Sequence, residues 1–275
     1  MQSIHALSLT PKVNDWLTNS RRPHILHIFD RACNLINEHR DVLSIVTLPI
    51  GKGPFNLVLE EDILFSEYLT VESFVSILDN QLTVGNLMIN AVDANLWSPR
   101  PDWEKLQAHR DHILNQVNEL PMINHQPSLP QSLLSSLCMS IVNADPSASL
   151  AIARRLAGLG NGLTPAGDDF ILGAVLAAWV IHPPKIASVL AEEITNTAAP
   201  LTTSLSAAWL KSAGKGETGI LWHRFFDALI ASNPVQVQNA INKILAMGAT
   251  SGADALAGFV GVYACLRKQV RSEIH

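Results

Sequence analysis

Hydrophobic and polar positions follow two different patterns along this chain. From about residue 23 to residue 97, short runs rich in branched and aromatic residues are separated by turn signals, as is typical of β-strands. From residue 102 onward, apolar residues recur at helical spacing between prolines, glycines and capping residues. The sequence therefore predicts an α+β protein, with a β-rich N-terminal part followed by an all-α C-terminal part. We place the two domains at residues 1–100 and 101–275.

The boundaries of the individual elements follow from these patterns. The segments 30–39 and 71–78 fit a helix and a strand equally well. The segment 49–54 is a turn signal, which fits either a hairpin or a loop that presents Asn56 to a ligand. The predicted strands are 25–29, 42–48, 56–59, 82–89 and 91–97. The predicted helices are 102–120, 131–143, 146–157, 168–182, 185–198, 202–212, 218–232, 235–247 and 252–270.

The bulk composition narrows the class of protein. Of 275 residues, 48% are apolar and 16% are charged, which is enough apolar material for a large core. The net charge of −5 and the lack of a basic block argue against nucleic acid as a partner. The apolar stretch 170–181 is too short to span a bilayer, and the N-terminus lacks a signal-peptide pattern. Three scattered cysteines show no zinc spacing, so we expect a reduced, cytoplasmic protein that is not in a membrane.

The segment 158–173 is the strongest candidate for chemistry. It reads Gly-Leu-Gly-Asn-Gly-Leu-Thr-Pro-Ala-Gly-Asp-Asp-Phe-Ile-Leu-Gly, so a glycine-rich loop delivers Asp168 and Asp169 into the first turn of an apolar helix. Free backbone N–H groups at a helix start bind anions, and glycines allow close approach. Adjacent helix positions point about 100° apart. We therefore expect one aspartate to face the site and the other to brace the loop.

A second segment, 248–258, repeats this pattern. Both segments have Thr two residues after Gly and Asp four residues after Thr, which pairs Asp168 with Asp254. Gly173 and Gly258 each follow an aspartate by four residues, on the same helix face. We expect the two helices to pack together and to bring their N-termini to one site. A purely structural alternative stays open, because Asp or Ser in a first turn also caps a helix.

The two segments define one candidate binding site. Helix N-termini attract phosphate or carboxylate, whereas neighbouring carboxylates repel such an anion. Mg²⁺ held by Asp168 and Asp169 would resolve the conflict. Without a metal, the carboxylates would accept hydrogen bonds from an amide or ureido ligand. The hydroxyls of 202–204 either cap a helix or line the same pocket. The predicted catalytic residues are Asp168, Asp169 and Asp254. The predicted substrate-binding residues are Gly160, Asn161, Gly162, Thr164, Gly167, Thr203, Ser204, Thr250, Ser251 and Gly252.

Residues 160–173 and 248–258 together resemble a bacterial family that includes the AllH subunit of oxamate carbamoyltransferase. Weaker matches in the segments 34–35, 53–54 and 97–99 extend the resemblance over nearly the whole chain. The resemblance implies a component of allantoin catabolism, within purine metabolism. The enzyme of that pathway transfers a carbamoyl group between oxalurate and phosphate, giving oxamate and carbamoyl phosphate. The resemblance also implies other carbamoyltransferase subunits, one of them similar to an acyl-CoA synthetase.

Three functions stay open at this point. The first is a subunit of a carbamoyltransferase complex that binds phosphate, carbamoyl phosphate or oxalurate at its glycine-rich helix N-termini. The second is a non-catalytic scaffold, in which the glycine loops shape a protein interface and the chemistry lies on another subunit. The third is a stand-alone Mg²⁺-dependent phosphoryl or amide enzyme, because paired aspartates also suit metal-assisted hydrolysis.

Overall fold

The structure is a computed structural model that describes residues 2–78, 81–118, 125 and 127–273. The chain divides into two compact units, Met1–Pro99 and Arg100–His275. The first unit is mostly β-structure and the second is mostly helical, so the predicted α+β class is confirmed. No described helix combines the length and hydropathy that crossing a lipid bilayer would require.

The first unit is built on one mixed sheet. Its strands lie in the order β2-β3-β4-β5-β1-β8-β7-β6, with β9 beside β1. Leucine, isoleucine and valine side chains on the sheet pack against α1, whose cap is Thr10. The strands are β1 (Gln2–Leu9), β2 (His24–Ile28), β3 (Ala32–Ile36), β4 (Val42–Val46), β5 (Asn56–Leu59), β6 (Val75–Leu78), β7 (Gln81–Val84), β8 (Leu87–Asn90) and β9 (Asn95–Leu96). The helices are α1 (Pro11–Asn19) and α2 (Phe65–Tyr68).

The second unit is a helical assembly around one central helix, α7. Nearly every side chain of α7 is buried, because its sequence is apolar on all faces and rich in alanine and glycine. The helices are α3 (Trp103–Ala108), α4 (Arg110–Asn118), α5 (Gln131–Val142), α6 (Pro146–Leu156), α7 (Ala166–Ile181), α8 (Pro184–Ala198), α9 (Ser204–Gly214), α10 (Ile220–Ala231), α11 (Pro234–Leu245) and α12 (Ser251–Glu273). A short 3-10 turn, Ala199–Leu201, links α8 to α9.

Several local predictions for the β-rich part were wrong. The predicted strand 82–89 is a hairpin, because Gly85 turns the chain with φ +53° between β7 and β8. Segment 91–97 contributes only β9, which pairs with β1 and not with the neighbouring hairpin. The turn at 49–54 is not a hairpin, because β4 and β5 run parallel. The ambiguous segments 30–39 and 71–78 contain strands β3 and β6.

The helical part follows the prediction more closely. The predicted helix 102–120 is two helices, because the chain leaves helical geometry at His109, between α3 and α4. Residues 119 and 120 of that prediction lie outside the described residues. The other predicted helices occur with end shifts of up to three residues. Asp145 and Asn233 cap α6 and α11, each with a proline at the first helical position.

Candidate functional site

The helices α7 and α12 begin in the same way. Each follows a helix, α6 or α11, and then a glycine with positive φ, Gly158 at +72° and Gly248 at +60°. A second glycine near each helix start lies against the end of the preceding helix. A Cβ on Gly167 would stand 2.0 Å from the carbonyl oxygen of Leu156, and one on Gly252 would stand 1.7 Å from that of Ile244. Only glycine fits at either place, so both are packing positions.

The same two helices also cross at closely approaching backbones. A Cβ on Gly173 would lie 1.7 Å from the carbonyl oxygen of Ala255. A Cβ on Gly258 would lie 2.1 Å from the carbonyl oxygen of Phe170. The two contacts are reciprocal, since Gly258 follows Gly173 by the same separation as Ala255 follows Phe170. The expected packing of these two helices is therefore observed.

This crossing changes the register of the internal repeat. Counting from the threonines pairs Asp168 with Asp254, whereas the reciprocal glycine contacts pair Asp169 with Asp254. The segment from the threonine to the equivalent acid is one residue longer before α7 than before α12. Close packing of the two helices, and not the length of the loops, therefore fixes which residues are equivalent. Asp169 and Asp254 are thus the equivalent acids of the two helices.

The loop before α7 and the first turn of α12 are joined by hydroxyl groups. Thr164 Oγ1 lies 2.7 Å from Ser251 Oγ. Both hydroxyls also hydrogen-bond Asp169 and lower its pKa, in opposition to burial. The two glycine-opened junctions therefore meet at one place, with Asp169 between them.

Asp168 braces the loop that precedes α7. Its Oδ1 accepts a hydrogen bond from the Gly158 backbone N–H at 2.9 Å. Its Oδ2 accepts one from the Ser206 hydroxyl at 2.8 Å and another from the Thr202 hydroxyl. Burial raises the pKa of Asp168, and these three donors act against that rise. Both oxygens are engaged within the protein, so Asp168 is the bracing member of the pair.

Asp169 and Asp254 differ from Asp168 because each keeps a buried oxygen that has no partner among the residues that the structure describes. The atoms are Asp169 Oδ2 and Asp254 Oδ2, on side chains of residues that are 8% and 1% exposed. Burial raises the pKa of Asp169 to about 8, and the charges of Asp254 and Asp168 add to the rise. Buried carboxylate oxygens normally have partners, so two unpartnered ones on described side chains that interact electrostatically indicate a place for a ligand. Neither oxygen caps its own helix.

His125 completes this group. Its Nε2 lies 2.7 Å from Asp254 Oδ1, where an imidazole N–H donates to the carboxylate. The His125 side chain is 28% exposed, whereas that of Asp254 is 2% exposed. Sequence reasoning missed His125, because the two residues are 129 positions apart and no local pattern marks the histidine.

The remaining predicted site residues divide into exposed and structural positions. Gly160, Asn161, Gly162 and Thr250 are exposed at the loops. Thr203 caps α9 by accepting from Ser206 N and also donates to the Leu163 carbonyl at 2.5 Å, so the 202–204 segment ties α9 to the loop. Ser204 is the first residue of α9. The backbone carbonyl of Thr250 accepts from Asp254 N at 2.8 Å. Ligand contact by these residues stays a prediction.

The predicted Mg²⁺ site also stays a prediction, and the geometry changes which acids would hold the ion. In the described part of the chain, no three His, Cys, Asp or Glu side chains form a group suited to a metal. Asp168 has both oxygens bound by internal donors. A divalent ion here would take the free oxygens of Asp169 and Asp254, and would complete its shell with water or substrate oxygens.

A model of the family described as oxamate carbamoyltransferase subunit AllH matches residues 156–263. This segment is similar to AllH. The resemblance stated from the two glycine motifs is confirmed over these residues, which run from the end of α6 into α12 and include Asp168, Asp169 and Asp254. The description of the matched family is that of an enzyme subunit, and the match covers 108 of the 275 residues. No solved structure gives a significant match.

Proposed function

We propose that this chain supplies the carbamoyl-binding site of a multi-subunit carbamoyltransferase that acts in allantoin catabolism and converts oxalurate and phosphate to oxamate and carbamoyl phosphate. The observation that carries the proposal is the pair of buried oxygens on Asp169 and Asp254 that lack a partner in the described part of the chain, inside the segment similar to AllH. The other subunits would include the one similar to an acyl-CoA synthetase.

The two free oxygens suit a carbamoyl group because they are acceptors. A carbamoyl or ureido ligand presents N–H donors in a planar arrangement, and a carboxyl group offers an acceptor oxygen to such donors whether it is ionised or protonated. The raised pKa of Asp169 reduces the negative charge of the pair at neutral pH, which lowers its repulsion of an anionic ligand. The charged end of the ligand, a carboxylate or phosphate, would face the N-termini of α7 and α12.

The proposal is tested by oxamate formation. The chain is purified together with its partner subunits, and oxalurate phosphorolysis is measured for the wild type, Asp169→Asn and Asp254→Asn. Each variant keeps the side-chain volume but replaces an acceptor oxygen by a donor. Both are expected to lose at least about 100-fold in kcat/KM, as for removal of a preorganised polar contact. Asp111→Asn is the matched control, since its side chain is 90% exposed on α4.

Each alternative function has its own signature in this experiment. Wild-type activity in both acid variants would indicate that the chain is a non-catalytic scaffold, and it would overturn the proposed site. Hydrolytic activity of the isolated chain that a chelator abolishes would replace the proposal with a Mg²⁺-dependent enzyme. Loss of phosphorolysis in both variants, with unchanged folding, supports the carbamoyl site.

A further inference from the structure

Two of the three cysteines meet where α5 packs against α12. Cys138 lies on α5, and a Cβ on Gly261 of α12 would stand 3.0 Å from its sulfur. Cys265 follows Gly261 by four residues, so the two positions share one face of α12. Because helical side chains lean toward the N-terminus of their helix, the Cys265 side chain covers the turn that holds Gly261. The sulfur atoms of Cys138 and Cys265 are therefore brought to the same place.

The two thiols form a hydrogen bond, in which Cys138 donates to Cys265. This hydrogen bond lowers the pKa of Cys265, burial opposes the effect, and the charge of Lys268 adds to it. The same hydrogen bond and burial raise the pKa of Cys138. The thiolate is the nucleophilic form of cysteine. The pair thus consists of a nucleophilic sulfur, Cys265, with a protonated thiol in contact with it.

The third cysteine, Cys33, lies in different surroundings. It is on β3 in the other unit and is 0% exposed, and burial raises its pKa to about 12. Cys265 is 9% exposed, so a small molecule has a path to its sulfur that it lacks at Cys33. Reactive cysteines combine thiolate character with access, whereas cysteines buried in apolar surroundings are inert. Cys33 is therefore a comparison thiol within the same chain.

We propose that Cys138 and Cys265 form a site of reversible oxidation, at which hydrogen peroxide converts the two thiols to a disulfide that joins α5 to α12. The Cys265 sulfur attacks one peroxide oxygen. An S–O bond forms, the O–O bond breaks, and the second oxygen leaves as hydroxide, which takes a proton from the solvent. The product is a sulfenic acid on Cys265.

The second step uses the neighbouring thiol. The Cys138 sulfur attacks the sulfur of the sulfenic acid, so that an S–S bond forms and the S–O bond breaks. The hydroxyl group leaves as water with the proton of Cys138. In sum, two thiols are oxidised and one peroxide is reduced to two waters. A dithiol reductant restores both thiols by exchange through a mixed disulfide.

The wild-type protein provides the main test. The full, reduced chain is treated with hydrogen peroxide under native conditions, then unfolded and alkylated, and its peptides are identified by mass spectrometry. We expect the thiols of Cys138 and Cys265 to disappear together, with a peptide that links them and that dithiothreitol removes. Cys33 is expected to react at least about tenfold more slowly, because little of it is thiolate.

Serine variants separate the roles of the two sulfurs. Cys138→Ser keeps a donor beside Cys265 but removes the second thiol, so we expect it to accumulate a sulfenic acid at Cys265, which dimedone traps. Cys265→Ser is expected to leave Cys138 unreacted. Cys33→Ser is the matched control, and we expect it to form the linked peptide at the wild-type rate.

The linked peptide from the native wild-type chain, with Cys33 still reduced, supports the proposal. Oxidation of all three cysteines at one rate would overturn it, and so would disulfides that form only between chains or only after unfolding in urea. A sulfenic acid that persists at Cys265 in the wild type, without a linked peptide, would show that Cys138 does not react with it. That result would overturn the disulfide.

Discussion

Gly173 of α7 lies directly against Ala255 of α12, so that a Cβ on the glycine would stand 1.7 Å from the alanine carbonyl oxygen. Gly258 repeats the contact in the opposite sense, against Phe170. This crossing sets how far the first turns of the two helices stand from each other. It therefore determines the separation of Asp169 and Asp254, which lie in the first turns of these two helices.

Gly173→Ala is expected to destabilise the protein by at least about 3 kcal/mol, because the added methyl group meets backbone and cannot be relieved by a side-chain rotation. Gly258→Ala is expected to lose a similar amount of stability. The matched control is Gly261→Ala on α12, where a Cβ would meet side chains and no backbone, the Cys138 sulfur at 3.0 Å and the Phe170 ring at 3.7 Å. Urea unfolding measures whether Gly173→Ala and Gly258→Ala lose more stability than Gly261→Ala. A Gly173→Ala variant as stable as the wild type would mean that the helices do not cross here.

Asp168 variants distinguish bracing from catalysis. Asp168→Asn is expected to fold, since its amide oxygen can accept from Gly158 N and its NH₂ can donate to the hydroxyls of Thr202 and Ser206. Asp168→Ala loses all three hydrogen bonds, and we expect it to cost about 2–4 kcal/mol at roughly 1 kcal/mol or more per bond. Thermal unfolding gives both values. If the Ala variant matches the wild type in stability, Asp168 does not brace the loop.

The stability of the protein is expected to depend on pH through Asp169. Its pKa rises from 3.8 to about 8 on folding, so the unfolded chain releases this proton at lower pH than the native protein. The contribution of Asp169 is therefore complete below about pH 4 and is lost as pH rises towards 8. Each unit of the shift is worth about 1.4 kcal/mol, so the whole effect is on the order of several kcal/mol.

Asp169→Asn removes this titration. As the pH rises from 5 to 8, the unfolding free energy of the wild type should therefore fall relative to that of the variant. Above pH 8 the difference between the two should stay constant. Asp111→Asn, at an exposed acid, provides the comparison. A difference that stays constant over this range would contradict the raised pKa of Asp169.

The hydroxyl contact between Thr164 and Ser251 should couple the two loops. Thr164→Val and Ser251→Ala are each expected to cost about 1 kcal/mol, with a smaller cost for the second change made in the background of the first. Because both hydroxyls lower the pKa of Asp169, either substitution should shift the pH-dependent loss of stability to higher pH. Denaturant unfolding at several pH values measures both effects. Independent, additive costs would show that the loops do not meet.

The helical part of the fold could be predicted because its signals are local. Asp145-Pro146 and Asn233-Pro234 mark helix starts, and Gly158 and Gly248 mark helix ends. The α+β class followed from the change of periodicity near residue 100. Strand pairing could not be predicted in this way. The parallel pairing of β1 with β8 joins segments that are far apart along the chain. The parallel pairing of β4 with β5 departs from the antiparallel hairpin that a short connection favours.

The candidate site was predictable only in part. The glycine motifs indicated the two junctions, and the 100° separation of adjacent helix positions indicated that Asp168 and Asp169 would differ. Their division of roles needed the Gly158 and Ser206 contacts, which involve the start of the loop and α9. His125 needed the tertiary structure, because its partner Asp254 lies in α12, 129 positions further along the chain.

The most direct test of the central claim is equilibrium binding of oxalurate to the purified chain by titration calorimetry. One site is expected in the wild type and in Asp111→Asn. At least about tenfold weaker binding is expected in both Asp169→Asn and Asp254→Asn, the effect of losing a hydrogen bond to a charged group. Equal oxalurate affinity in the wild type and in the Asp169→Asn Asp254→Asn double variant would show that these two acids do not bind the ligand.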